Sequence, residues 1–155
     1  MLELVDRALE NLERLYERFE RPAVTLEPDE FRAPRGAWVL VDLGGRPVAS
    51  GGLCRHEDGA SVAELKRIWV EPEVRGRGLS RVLLGALEVR AVELGYSAVH
   101  LATGSRQPEA MRLYETSGYE VVARREVGPG RAFVTSYAKS LVPERPARIA
   151  SRSSR

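Results

Sequence analysis

The sequence contains a single cysteine, Cys54, among 155 residues. One cysteine cannot form an internal disulfide or a zinc site built from several cysteines, which fits a reducing compartment. Long apolar runs are also missing, since stretches such as residues 37–41 are far shorter than the roughly 20 residues that span a bilayer. The first ten residues carry three acidic side chains and do not resemble a secretory signal. We therefore predict a cytoplasmic protein with no membrane association.

Lysine is scarce, and arginine supplies most of the 24 basic side chains. The net charge of +2 would allow a nucleic-acid partner, but the location of the charge argues against one. Residues 141–155 carry four arginines and one glutamate, a net charge of +3, which leaves −1 for residues 1–140. We therefore predict no nucleic-acid binding, and we interpret residues 141–155 as a flexible basic tail on a domain formed by residues 1–140.

What the sequence does contain is enough apolar content for one core, with 43% hydrophobic residues. Residues 2–19 place apolar side chains three and four positions apart, which predicts an amphipathic helix that Pro22 ends. The same spacing fits a coiled coil, but the segment covers too few heptads for one. A helix packed on its own domain is the favoured interpretation.

The remaining elements alternate between strand and helix patterns. Strands are predicted at residues 37–43, 47–55, 61–70, 98–102, 119–127 and 132–140, and helices at residues 78–94 and from Pro108 to shortly before Gly118. The Gly44-Gly45 pair between the first two strands is typical of a hairpin turn. This order predicts a single domain of mixed α/β or α+β class.

One loop carries most of the functional information. Residues 68–80 run from a predicted strand through a segment rich in glycine and arginine into the long helix. The start of a helix presents unpaired N–H groups and partial positive charge, and glycines let an anion approach the backbone closely, so the loop is a candidate phosphate cradle. It lacks the Gly-Lys-Ser/Thr of a Walker A loop and the third glycine of a dinucleotide fingerprint. An ordinary turn that links strand to helix is the alternative.

Two separated motifs resemble those of the GNAT superfamily of N-acetyltransferases. Arg75-x-x-Gly78-x-Ser80 is similar to the Q/R-x-x-G-x-G/A loop of that family, and it lies between strand and helix as expected. Residues 107–119 are similar to its second motif, N-x-x-A-x-x-L-Y-E-x-x-G-F, with Gln107 at the usual asparagine position. Ser80 is a second departure, at a small-residue position.

The resemblance implies a fold and a cosubstrate. The expected fold is a mixed, mostly antiparallel twisted sheet flanked by helices, with splayed central strands that admit acetyl-CoA and acceptor from opposite sides. The residues implied in binding acetyl-CoA through the loop, the adjoining strand and the second motif are Ile68, Trp69, Val70, Arg75, Gly76, Arg77, Gly78, Leu79, Ser80, Gln107 and Tyr114. No metal is expected.

The resemblance also implies two catalytic residues. Transfer to an amine requires the ammonium to lose a proton and the CoA thiolate to gain one. Glu64 stands eleven residues before Arg75, where some family members have their general base, although it could instead be a strand carboxylate paired with Lys66 or Arg67. Tyr114 matches the family's general acid, although a tyrosine at an inward helical position can also serve only the core.

Other polar residues give weaker signals. Cys54, His56 and His100 lack metal-ligand spacing and are interpreted as structural. Three arginines near the turn at residues 128–130 could bind an acceptor carboxylate, but a solvated surface role is favoured; they are Arg124, Arg125 and Arg131.

The leading hypothesis is an acetyl-CoA-dependent N-acetyltransferase whose acceptor is a small-molecule amine or amino acid rather than a protein. A homodimer is a weaker expectation drawn from family habit. The alternative hypothesis is a non-catalytic acyl-CoA-binding module with the same fold.

Overall fold

The computed structural model describes residues 29–128 and 132–142, together with the isolated positions Glu10 and Arg14. Of the helix predicted at residues 2–19, only those two positions are described, and both are helical and exposed. Residues 143–155 of the predicted tail lie outside the described residues. Within the described ranges, no helix has the length and apolar character needed to cross a membrane.

The described ranges contain six strands, two α-helices and one short 3-10 helix at Pro72–Val74. The strands are β1 (Ala37–Leu43), β2 (Arg46–Arg55), β3 (Val62–Val70), β4 (Ala98–Gly104), β5 (Glu120–Val127) and β6 (Ala132–Ser140), and the helices are α1 (Leu79–Glu93) and α2 (Pro108–Thr116). β4 extends two residues beyond the predicted end at residue 102. The reason is its pairing with β6, which continues to the Gly104–Val134 pair, whereas the local sequence alone carries no sign of that partner.

Glycines end or reverse these elements where the sequence predicts. Gly44 and Gly45 both have positive φ angles, +62° and +85°, which is the conformation that a two-residue hairpin turn between β1 and β2 requires. Gly95 (φ +91°) follows α1 and donates its N–H to the carbonyl of Val92. Pro108 occupies the first turn of α2. The predicted hairpin and helix ends are thus confirmed.

The strands form one sheet in the order β1-β2-β3-β4-β6-β5. β3 and β4 run parallel, and the other neighbours are antiparallel. α1 connects the two parallel strands as a crossover, as a parallel pair needs. The predicted fold class, a mixed and mostly antiparallel sheet flanked by helices, is confirmed.

The two faces of the sheet differ in what covers them. The helix face carries alternating side chains such as Leu53 and Leu65, which join the fully buried Leu83 and Leu87 of α1 in the hydrophobic core. We call the opposite side the Phe31 face, because a Cβ at Gly52 would point at the Phe31 ring. Since side chains alternate along a strand, each β3 residue can be assigned to one face.

The contact between Gly52 and Phe31 gives a stability test. A Cβ at position 52 would lie 2.5 Å from Phe31 Cδ1 and 2.8 Å from Trp38 Cε3. We expect Gly52→Ala to lower the free energy of unfolding by about 1–3 kcal/mol, because two packed rings must shift. Gly85→Ala is the control, since Gly85 lies in α1 and a Cβ there would meet no neighbouring atom within 4 Å. It should raise stability by about 0.5–1 kcal/mol. Urea unfolding of both variants is the measurement, and effects of equal sign would contradict the assignment.

Candidate active site

The strands β3 and β4 pair over a short stretch and then part. Their register covers Val62 to Glu64 on β3 and ends at the Glu64–His100 pair. Both strands continue beyond that pair, and β4 remains paired with β6 to its end. We call the space between residues 65–70 of β3 and residues 101–104 of β4 the central gap. Along this space, β3 has no strand partner on the β4 side among the described residues.

A bulge in β3 lies beside the central gap. Arg67 has a φ of +57°, a left-handed conformation that is uncommon for residues with a side chain, and the register with β2 shifts at this point. The bulge sends Ile68 towards the helix face, where its Cγ1 lies 3.3 Å from a Cβ built on Gly51. Arg67 points to the opposite side, with its guanidinium 5.3 Å from the Phe31 ring centroid. Because a bulge bends its strand, this one contributes to the parting of β3 from β4.

The end of β3 directs a backbone amide into the central gap. Glu71 donates its N–H to the Val48 carbonyl on β2 at 2.8 Å. Since amide directions alternate along a strand, the Val70 N–H points away from β2 and towards the gap, whereas Trp69, the register partner of Ser50, directs its backbone to β2. Ile68, Trp69 and Val70 are the strand residues predicted to bind acetyl-CoA. By this alternation Val70 directs its amide N–H towards a ligand in the gap, and Ile68 and Trp69 precede it on β3.

The loop after β3 presents several backbone N–H groups that are not used in backbone hydrogen bonds among the described residues. Gly76 and Gly78 have φ angles of +77° and +78°, and Gly78 is the N-cap of α1. A Cβ at either glycine would meet no atom of the described residues within 4 Å, so these residues leave the space beside both glycines open. The N–H groups of residues 76–80 have no backbone acceptor among the described residues. Free N–H groups at the positive end of a 15-residue helix make an anion-binding arrangement.

Arg75 fastens this loop to the strand. Its Nε donates to the Val70 carbonyl at 3.0 Å, and its guanidinium lies 4.8 Å from the Trp69 ring centroid. Arg77 is exposed, and Leu79 and Ser80 are half-buried in the first turn of α1. The predicted loop residues are therefore brought together around one opening.

The second motif lies on the same face of the sheet. Gln107 is the N-cap of α2, and its carbonyl accepts the N–H of Met111 at 3.1 Å. Tyr114, on the buried side of α2, is only 6% exposed, and its ring centroid lies 5.7 Å from that of Tyr137 on β6. Tyr137 is the register partner of Leu101 in the core, which places Tyr114 on the helix face beside β4.

Three tyrosines meet here, and their hydroxyl groups differ. Tyr119 donates to a carboxylate oxygen of Glu88 at 2.9 Å, and Tyr137 donates to one of Glu115 at 3.0 Å. The Tyr114 hydroxyl makes no hydrogen bond to any described residue. Burial raises the pKa of Tyr114 to about 12, with a smaller contribution from Tyr137. Tyr114 is therefore protonated at neutral pH and has a proton to donate to a ligand.

Glu64 lies where the central gap closes and belongs to a charge network on the Phe31 face. Its Oε2 is 3.3 Å from Lys66 Nζ, which in turn lies 2.7 Å from Oε1 of Glu30. Partial burial opposes the charge on Lys66, but the hydrogen bond to Glu30 and the nearby carboxylates outweigh it and raise the pKa of Lys66. The ion pair with Lys66 that the sequence allowed is therefore present.

Cys54 is part of the same network, and its thiol is protonated and hydrogen-bonded. Its Sγ donates to Oε1 of Glu30 at 3.1 Å. Burial, followed by that hydrogen bond, raises the pKa of the thiol to about 12. The thiol stays protonated at neutral pH, which argues against a nucleophilic role.

His100 is a site residue that sequence reasoning places among the structural histidines. It is the register partner of Glu64, and its ring centroid lies 4.5 Å from that of His56. Its Nδ1 is buried without a hydrogen-bond partner, and burial, helped by His56, lowers its pKa. No local pattern reveals that β4 sets this side chain beside Glu64. Among the described residues, no three His, Cys, Asp or Glu side chains are placed to hold a metal ion.

Two of the arginines considered as acceptor ligands, Arg124 and Arg125, are exposed on β5. Arg131 lies outside the described residues. The exposure of the first two favours the solvated surface role.

Comparisons with known proteins bear on the family and the fold of the chain. Residues 4–119 match the model of the acetyltransferase (GNAT) family. The uncharacterized N-acetyltransferase YjgM of Escherichia coli K12 is 30% identical over 111 residues, which cover 71% of this chain and 59% of that protein. The chain thus spans about three fifths of the length of that relative.

Solved structures share the fold. A structure from Klebsiella pneumoniae, described as an acyl-CoA N-acyltransferase, superposes with a TM-score of 0.67 at 24% identity and covers 91% of this chain and 89% of its own. An aminoglycoside 6'-N-acetyltransferase complexed with coenzyme A superposes with a TM-score of 0.70 at 17% identity, covering 91% and 92% of the two chains.

The cradle can be tested by its effect on acetyl-CoA binding. A ligand that binds the native state raises the melting temperature, and we expect acetyl-CoA to do so here. Gly78→Val should abolish that shift, because the side chain would fill the space in front of the N–H groups.

Gly95→Val is the matched control for backbone strain. Gly95 lies at the other end of α1, has a similar left-handed φ of +91° and is equally open. Both variants should melt at lower temperature, but Gly95→Val should keep the full acetyl-CoA shift. An undiminished shift in Gly78→Val would refute the cradle.

Proposed function

The chain belongs to the acetyltransferase (GNAT) family, and on that premise we propose that it transfers the acetyl group of acetyl-CoA to a primary amine by direct attack in a ternary complex. One observation carries this proposal: the anion cradle lies next to the central gap, on the same side of the sheet as a buried tyrosine whose hydroxyl has no described partner. Binding and proton donation are thus available together.

The cradle and the gap divide the binding of acetyl-CoA between them. The N–H groups between Arg75 and Ser80 hold the pyrophosphate, as helix N-termini hold other phosphates. The pantetheine arm extends along β3, where the Val70 amide takes the place of a missing strand partner. An aminoglycoside acetyltransferase with the same fold was solved in complex with coenzyme A, which supports acetyl-CoA as the cosubstrate.

The two faces of the sheet receive different substrates. The cradle and Tyr114 lie on the helix face, so acetyl-CoA enters from that side. Glu64 lies on the Phe31 face, and the acceptor amine enters there. The negative charge of the Glu64 carboxylate attracts an ammonium ion.

The side chains then supply the proton transfers. Glu64 accepts a proton from the ammonium, and the free amine attacks the thioester carbonyl. The tetrahedral intermediate collapses with loss of the CoA thiolate, to which Tyr114 gives its proton. The nitrogen of the new amide loses its second proton to the Tyr114 phenolate, directly or through water, and Glu64 releases the first proton to solvent. With a pKa of about 12, Tyr114 is protonated at neutral pH, so its proton is present when the thiolate forms. No covalent enzyme intermediate is needed.

The alternative is a non-catalytic acyl-CoA-binding module. In that case the chain would bind acetyl-CoA and release no CoA with any amine. A panel of small amines and amino acids, assayed for CoA release with a thiol-reactive dye, distinguishes the two. The unpartnered hydroxyl of Tyr114 favours the enzyme, because a purely structural tyrosine would gain stability from a partner such as those of Tyr119 and Tyr137.

The acid role predicts a specific loss of turnover. Tyr114→Phe should preserve acetyl-CoA affinity and lower kcat by roughly 10²- to 10⁴-fold, the usual effect of losing a general acid. Tyr137→Phe is the matched control, because it removes a neighbouring buried hydroxyl that is bonded to Glu115. It should lower stability by about 1 kcal/mol and leave kcat nearly unchanged. Full kcat in Tyr114→Phe would assign Tyr114 to the core alone.

The base role predicts a change in the pH profile. If Glu64 takes the amine proton, Glu64→Gln should flatten the acidic limb of kcat/KM against pH, and high external pH should partly restore the rate. His100→Asn is the comparison variant, because its neutral imidazole lies in register with Glu64. His100→Asn should retain the acidic limb of the kcat/KM profile. The opposite pattern, with the limb lost only in His100→Asn, would transfer the base role to His100.

A further inference from the structure

Arg67 has a buried donor group that no described residue pairs. Its Nη1 is buried and has no hydrogen-bond partner among the residues that the structure describes. An unpaired buried polar group costs free energy, and more so when it is charged. The same residue holds its backbone at a φ of +57°, which is also unfavourable. The Arg67 side chain as a whole is only partly buried, so a ligand that reaches its exposed part can pair this nitrogen after a small shift of the guanidinium. Two unfavourable features at one partly exposed residue therefore indicate a site that a ligand completes.

The Phe31 ring packs against the Arg67 guanidinium and holds it in place. It lies 5.3 Å from the centroid of the Phe31 ring, within range of a cation–π contact. Phe31 is 7% exposed and packs edge-on against Trp38, with centroids 5.1 Å apart. The ring therefore forms a fixed platform that restricts where the guanidinium can point.

Glu30 is close to Arg67 but makes no hydrogen bond to its Nη1. Arg67 contributes to lowering the pKa of Glu30, so the two charges are close. Glu30 is engaged by Lys66 at 2.7 Å and by the Cys54 thiol at 3.1 Å. The chain thus places a carboxylate near Arg67 but pairs it elsewhere.

We propose that Arg67 binds a carboxylate group of the acceptor, so that the substrate of this enzyme is an amine that also carries a carboxylate, as an amino acid does. This inference rests on the proposed function. A guanidinium presents a planar set of N–H donors that matches a carboxylate. In this arrangement the ammonium end of the acceptor lies at Glu64 and the carboxylate end at Arg67.

The arrangement and charges of the side chains on β3 fit such an acceptor. Glu64 and Arg67 are three residues apart on β3, and the bulge at Arg67 lets both side chains project on the Phe31 face. Glu30 and Glu64 balance Lys66 and Arg67, so the formal charge of these four side chains is zero. A zwitterionic acceptor keeps it at zero, whereas a polycationic amine such as an aminoglycoside would set further ammonium groups against Arg67.

The experiment compares matched acceptors. The common amino acids and their carboxamides are assayed for CoA release with acetyl-CoA, so that each pair differs in one carboxylate. We expect wild-type kcat/KM to be about 10- to 100-fold higher for an acid than for its amide, the range of one charge-assisted interaction. Arg67→Met should reduce the acid to the level of the amide and leave the amide rate within a few-fold. Arg124→Met, on the exposed edge strand, should retain the preference.

Arg67→Lys is a second, more conservative variant that tests the site even if Arg67→Met does not fold. It keeps the charge but loses the planar donor set, and it should retain only part of the preference. The acetyl-CoA melting shift reports whether each variant is folded. Equal rates for acid and amide in the wild type, a higher rate with an aminoglycoside, or a preference that survives in Arg67→Met would each overturn the proposal.

Failure of the proposed function gives a different result. If wild type binds acetyl-CoA but releases no CoA with any amine, the enzyme assignment fails. The carboxylate site is then tested by melting temperature in the presence of CoA. The acids should raise it more than their amides in wild type and equally in Arg67→Met, and an equal shift in wild type would overturn the site.

Discussion

The parting of β3 and β4 after the Glu64–His100 pair is the constraint on which the rest of the site depends. A strand inside a sheet normally has both edges hydrogen-bonded, and unpaired backbone groups that are buried cost free energy. Here β3 keeps β2 on one edge and loses β4 on the other beyond Glu64. The free edge is acceptable because it faces an opening that water or a ligand can enter. The gap is also what joins the two faces of the sheet, so that substrates from opposite sides can meet.

The two faces have opposite chemical character because different elements cover them. α1 and α2 place leucines and tyrosines on the helix face, where burial keeps the Tyr114 proton in place. The Phe31 face carries charge, and its cation Lys66 lies between two carboxylates. The second lysine, Lys139, is likewise paired, with Glu88 at 3.0 Å. Both lysines of an arginine-rich chain are therefore used in partly buried ion pairs.

Partners decide the roles of chemically identical groups. Tyr114, Tyr119 and Tyr137 form one aromatic cluster, but two of the hydroxyls are committed to carboxylates. Arginines divide in the same way: Arg75 fastens the loop through the Val70 carbonyl, whereas Arg67 keeps a buried nitrogen free. Residue type alone would not separate the member available to a ligand from the one already used in the structure.

The sequence by itself determined the features that depend on neighbours in the chain. Glycines with left-handed φ, such as Gly44 and Gly78, mark turns and helix starts because the backbone conformation they permit is local, and this is why the hairpin, both helices and the loop geometry could be predicted. The end of β4 could not, since it depends on pairing with β6. Only the tertiary structure placed His100 beside Glu64 and left Nη1 of Arg67 without a hydrogen-bond partner among the described residues. Register and desolvation arise between residues far apart in the chain, as in the pair of Lys66 with Glu30, 36 positions away, and no local pattern encodes such distances.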